Sequence, residues 1–227
     1  MTGLVDYVRI VRRRGWFRLF DELRENLWFD LIRGTDTQTI HPQTTGGGTP
    51  PAAAELNPYV PAYSRPLLDS LWYLRDRISG RGFSFFDIGA GKGKPLIIAA
   101  ESKLFERIVG VEISPEIAAI CESNVRRCGL AGTVRVIGAD AAAFRDYSPK
   151  SVIFAYNPFG ERVFRRVLEN IEAGVDEAYM IYLDPVHESL LKRWRLLKTS
   201  AWRNDAGRDL KVFGFFHVSR RSKTGVD

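Results

Sequence analysis

Apolar residues along this chain follow two alternating rhythms. Short apolar-rich runs (Phe85 to Ile88, Arg107 to Ile113, Thr133 to Ile137, Val152 to Tyr156 and Glu177 to Leu183) have the length and the β-branched or aromatic content of buried strands. Between them, apolar positions three and four residues apart predict helices. One runs from Tyr63 to Ile78, with Leu67, Leu68, Leu71, Trp72 and Leu74 toward the core. Others open at Pro95 and at Ser114-Pro115-Glu116, where serine, proline and an acid suit N-cap, first position and first turn. Glu161 to Ala173 and roughly His187 to Leu197 complete the set. Two further strands, near Thr199 to Arg203 and Leu210 to Ser219, flank Asn204-Asp205-Ala206-Gly207, a sequence suited to a hairpin turn. Strands alternating with helices and then an antiparallel pair predict an α/β fold: a doubly wound sheet of seven strands, mostly parallel, with a C-terminal antiparallel hairpin.

Upstream the rhythm differs. Val5, Val8, Ile10, Val11, Trp16, Phe17, Leu19, Phe20, Leu23, Leu27 and Leu31 predict one or two amphipathic helices, so residues 1–33 form an N-terminal helical extension. Arg9, Arg12, Arg13, Arg14 and Arg18 stand among its aromatics. That pattern suits either a lid packed on the following domain or a peripheral contact with an anionic membrane. Acids from Asp21 onward dilute the basic face and favour the lid. Residues 34–58, rich in Thr, Gly, Pro and Ala, read as a flexible or irregular linker, and residues 59–227 as the main domain.

The chemistry centres on Phe86-Asp87-Ile88-Gly89-Ala90-Gly91-Lys92-Gly93-Lys94-Pro95, a strand running into a glycine-rich turn and then a helix. Glycines at alternate positions allow turn dihedrals closed to other residues and let a ligand touch the main chain. A P-loop is excluded, because Gly93-Lys94 is followed by Pro95 rather than Ser or Thr. The dinucleotide fingerprint fails too, because its third small residue falls on Lys94.

The remaining pattern, Asp87-x-Gly89-x-Gly91-x-Gly93, resembles the first motif of the class I S-adenosylmethionine (SAM)-dependent methyltransferases, which have a Rossmann-like sheet. The next three strand ends fit in order. Glu112, 25 positions after Asp87 and followed by Ile113, suits a ribose acceptor. Asp140-Ala141 closes the third strand, where the resemblance implies an acid facing the adenine amine. Tyr156-Asn157-Pro158-Phe159-Gly160 closes the fourth and is similar to the Asn/Asp-Pro-Pro-Tyr/Phe motif of amino methyltransferases, without its second proline. A narrower resemblance, carried by Pro58-Tyr59-Val60-Pro61-Ala62 ahead of the glycine loop, is to lysine methyltransferases related to the ATP-synthase c-subunit enzyme. Phe29-Asp30, Gly34-Thr35-Asp36-Thr37 and the Tyr156 turn also resemble a group of bacterial methyltransferases.

These resemblances imply SAM as cofactor and S-adenosylhomocysteine (SAH) as product, with Asp87, Gly89, Ala90, Gly91, Gly93, Glu112, Ile113, Asp140, Ala141, Asn157 and Tyr59 lining the cofactor site. Asn157 and the Pro158 carbonyl would accept hydrogen bonds from an acceptor amine, while Tyr156 and Phe159 would offer ring faces to the cationic donor. Asp184 and His187, at the fifth strand end, suit a base or a helix cap. The expected activity is methyl transfer to an amine, first of all a protein lysine. The alternatives are N- or O-methylation of a small molecule, methylation of a nucleic acid, and a non-catalytic SAM-binding module.

Composition narrows this little. Hydrophobic residues make up 45% of the chain, and a mean hydropathy of −0.16 is that of an ordinary globular protein. No apolar run approaches the ~20 residues that span a bilayer, and without an export signal a cytoplasmic location is expected. Cys121 and Cys128 lie seven positions apart on one predicted helix, too far along its axis to bridge. The histidines are scattered, so no metal site is expected. The net charge of +6 is concentrated between Lys192 and Lys223, where ten Lys or Arg face two Asp. A basic face of this kind suits nucleic acid, anionic lipid or an acidic protein segment, although no nucleic-acid-binding motif accompanies it.

Overall fold

A computed structural model of the 227-residue chain describes residues 28–39, 61–203 and 209–219. The expected elements are β1 (Ser84–Ile88), β2 (Arg107–Glu112), β3 (Val134–Gly138), β4 (Lys150–Tyr156), β5 (Glu177–Leu183), β6 (Arg195–Arg203) and β7 (Asp209–Ser219). Among them run helices α1 (Ser64–Ile78), α2 (Lys94–Ser102), α3 (Pro115–Arg127) and α4 (Glu161–Gly174). They build one seven-stranded sheet in the order β3-β2-β1-β4-β5-β7-β6. Strands β1 to β5 pair in parallel, and β7 is antiparallel to both β5 and β6.

Because β1 is buried on both faces, its sequence Ser84-Phe85-Phe86-Asp87-Ile88 shows no polar alternation. One face carries Phe85, Leu67, Leu71, Leu74, Leu96 and Phe154 against α1 and α2. The other carries Phe86, Ile153, Met180, Phe164 and Val167 against α4. Two packed layers thus fix the carboxyl ends of β1 to β5 along one rim.

Two expectations need revision. The predicted helix from His187 to Leu197 is only a short 3₁₀ turn, Glu188–Leu190, and β6 begins at Arg195. Leu191 and Trp194 reach the core from that turn, and the Trp194 indole donates to Glu172 at 3.0 Å, so the strand starts where pairing with His217 becomes available. The beginning of the expected linker is also anchored: the Thr37 N–H and hydroxyl both donate to Asp30, and Thr37 is fully buried. The N-terminal helices up to residue 27, residues 40–58 and the predicted turn at 204–207 lie outside the described residues.

Candidate active site

The turn after β1 is tied to β2, not merely adjacent to it. The N–H groups of Gly89 and Ala90 both donate to the Val111 carbonyl, at 3.0 and 2.9 Å. Gly89, Gly91 and Gly93 take φ of 82, 53 and 85°. At Gly89 a Cβ would stand 2.7 Å from Pro158 Cβ, and at Gly93 2.6 Å from Cys121 Sγ. Glycine is required at both by conformation and by space. Cys121 therefore serves as the floor of the turn, and its burial raises the thiol pKa far above its ordinary value.

The acids fall into place around this turn. Glu112 accepts from the Gly91 N–H through Oε2 and from the Ser114 N–H through Oε1, both at 2.9 Å. Each oxygen keeps acceptor capacity for a ligand hydroxyl. Ser114 caps α3 by accepting from the Ile117 N–H, as its sequence predicts. Asp140 Oδ1 accepts from the Ala142 N–H at 2.8 Å, which sets the bend after β3. Asp87 is 1% exposed, and its Oδ2 has no hydrogen-bond partner among the described residues. Burial, assisted by the nearby Glu112 carboxylate, pushes its pKa well above the usual carboxylate range.

At the ends of β4 and β5 the chain turns without glycine. Asn157 has φ 38° and Asp184 φ 48°, each one residue beyond the cross-strand pair Tyr156 and Leu183. Two adjacent strands thus leave the sheet by left-handed residues at equivalent positions, a backbone arrangement that clusters at functional sites. Pro158 packs against Gly89, joining the cofactor turn to the β4 turn.

A cavity of about 260 Å³ opens along this rim. Of the residues expected in the site, Asp87, Gly89, Ala90, Gly91, Gly93, Glu112, Ile113, Asp140, Ala141, Tyr156, Asn157, Pro158 and Phe159 all line it, joined by Asp184. Tyr59 lies outside the described residues. Phe159 is only 5% exposed and belongs to the core beneath α4, so it serves as a wall, whereas Tyr156 is half-buried. His187 is not among the lining residues; its ring lies 6.1 Å from that of Phe164. Sequence reasoning missed Lys92 inside the glycine turn and Lys94 at the start of α2, 1% and 2% exposed, and the partners that hold them. Their placement beside the glycines was the available signal, since a buried Lys ammonium needs partners.

These residues fit SAM. The unpartnered Asp87 oxygen, the Glu112 carboxylate and the glycine cradle are the acceptors and the bare backbone that an adenosyl sulfonium requires. A family model described as a methyltransferase domain matches residues 86–160. The fold is that of the class I SAM-dependent methyltransferases. The matched stretch runs from β1 through the turn after β4 and holds the glycine turn, Glu112, Asp140 and Asn157. Solved structures with this methyltransferase fold include an RNA methyltransferase from Salinibacter ruber in complex with SAH, at 19% identity and TM-score 0.52, covering 74% of this chain and 98% of that one. A protein from Pyrococcus horikoshii whose proposed activity is RNA methylation is 16% identical at TM-score 0.58, with 86% and 98% covered. The ribosomal protein L11 methylase of Lactobacillus delbrueckii subsp. bulgaricus is 14% identical at TM-score 0.52, with 70% and 79% covered. No curated protein matches the chain. No helix among the described residues is long and apolar enough to cross a membrane.

Proposed function

We propose that the chain transfers a methyl group from SAM to an amine nitrogen, with a protein lysine as the acceptor. The supporting observation is the pair of left-handed turns that sets the Asn157 amide and the Asp184 carboxylate side by side on the cavity rim. A carboxylate lining the cavity attracts an ammonium and repels phosphate.

Bound SAM supplies a methyl group on an electron-poor sulfonium. The chain's task is to hold a neutral amine in line with it. A free lysine, with pKa about 10.4, is almost wholly protonated at neutral pH. Enclosure between Tyr156, Pro158 and the buried wall at Phe159 favours the neutral form. The Asn157 side-chain carbonyl and the Pro158 backbone carbonyl accept its N–H bonds and aim the lone pair. Asp87, Glu112 and the glycine turn would hold SAM so that its methyl could pass to the aimed nitrogen, and Asp184 would accept the proton that the methylated amine gives up.

A nucleic-acid amine is the second reading, favoured by the basic segment from Lys192 to Lys223 and by the RNA methyltransferases among the structural neighbours. Incubating the protein with methyl-tritiated SAM and a lysate, then separating protein, RNA and small molecules, distinguishes the two. Methyl-lysine in a labelled protein band is expected. Label confined to RNA or to small molecules would overturn the lysine assignment. Asn157→Ala should lower transfer ~10²–10³-fold while SAH binding is retained.

A further inference from the structure

Lys92 lies between two cofactor-site glycines, and its side chain has 0% exposure. A buried ammonium is tolerated only where charge and hydrogen bonds surround it. Here they come from residues 28–39, more than fifty positions upstream and outside the matched methyltransferase domain. Lys92 Nζ donates to Asp36 Oδ1 and Oδ2, both at 3.0 Å, and to the Thr39 carbonyl at 2.6 Å. Asn124 on α3, 2% exposed, locks the same junction. Its Nδ2 donates to the carbonyls of both Asp36 and Lys92, each at 3.0 Å, and its Oδ1 accepts from the Asp36 N–H at 2.9 Å. Two residues on, Lys94 Nζ lies 5.0 Å from the centre of the Phe29 ring.

The neighbour of Lys92 on the glycine turn is Gly91, whose N–H holds the Glu112 carboxylate. Anything that shifts Lys92 therefore shifts the group that orients Glu112. We propose that residues 28–39 buttress the cofactor site from outside its cavity, with Asp36 a positioning residue that sets the glycine turn through Lys92 and Asn124. This rests on the SAM reading above. Loss of the Asp36 carboxylate removes a counter-charge from the buried Lys92 ammonium, and the turn shifts toward solvent, displacing both the cradle and the Glu112 carboxylate.

The test is calorimetric titration of the full chain with SAH, together with amide hydrogen exchange over residues 89–93 in the free protein. Asp36→Ala should weaken SAH binding about tenfold or more and speed exchange in the turn. Asp36→Glu, which keeps the charge, and Asp36→Ala with Lys92→Met, which removes the buried cation, should each recover most of the affinity. A merely structural Asp36 would show no such rescue. Should Asp36→Ala fail to fold, Asp36→Asn carries the same expectations at nearly constant shape. A folded Asp36 variant with SAH affinity within about twofold of wild type and unchanged exchange would overturn the inference alone. Wild-type protein that binds no SAH would overturn the SAM reading and this inference together.

Discussion

The rim of the sheet is built by two opposite devices. After β1 the backbone turns on Gly89, Gly91 and Gly93, while after β4 and β5 it turns on Asn157 and Asp184, side chains held at positive φ. Glycine serves where the main chain itself must meet the ligand, and a strained polar residue serves where a side chain must be displayed. Each such non-glycine position costs on the order of 1 kcal/mol or more and persists only because the packed strands enforce it. On the proposed function, the first device is the surface for a constant cofactor and the second displays the groups that would meet a variable acceptor.

The sharpest way to break this division is at Gly89, where the two regions touch. Gly89→Ala would place a methyl 2.7 Å from Pro158 at φ 82°. The expected outcome is loss of both SAH binding and methyl transfer, with stability lowered by about 1–3 kcal/mol. Chemical denaturation and calorimetry check it. SAH binding preserved with transfer lost would show that the two regions are separable at this point.

A smaller effect distinguishes the cofactor region electrostatically. Asp87 is buried with a raised pKa, because burial and the nearby Glu112 carboxylate disfavour its ionised form in the free fold. Below the unfolded-state value of about 3.9 both states are protonated. As pH rises from there through the raised folded value, the unfolded chain releases its proton first, and the Asp87 contribution to stability is lost. Asp87→Asn should remove that loss. Its melting temperature in the absence of ligand should exceed wild type by a margin that grows from about pH 4 upward, while SAH binding weakens. A constant margin across pH would show that Asp87 does not titrate in that window.

The same contrast explains what was legible in the sequence. The glycine turn, the Ser114-Pro115 helix start and the strand-end acids announce themselves locally, because dihedral demands and caps are met by residues a few positions apart. The β6 start depends on pairing with His217, and the Lys92 partners lie at Asp36 and Asn124, so neither is written in any short window. Glu188 to Trp194 misled for a related reason. Leu190, Leu191 and Trp194 have helical spacing, yet one short 3₁₀ turn suffices to bring Leu191 and Trp194 into the core.

The smallest expected change concerns Asn157 itself. At φ 38° it occupies backbone space that glycine enters freely. Asn157→Gly relieves that strain but enlarges the conformational freedom of the unfolded chain, and the two terms oppose each other. Relief dominates if the side chain is there for the acceptor and not for the fold, giving a gain of about 0.5 kcal/mol in denaturant unfolding, together with loss of methyl transfer and intact SAH binding. Destabilisation with transfer retained would instead make Asn157 a structural residue of the β4 turn and move the display role to Asp184. Stability and activity moving in opposite directions at one residue is the signature expected where the fold is strained in order to present a side chain to a substrate.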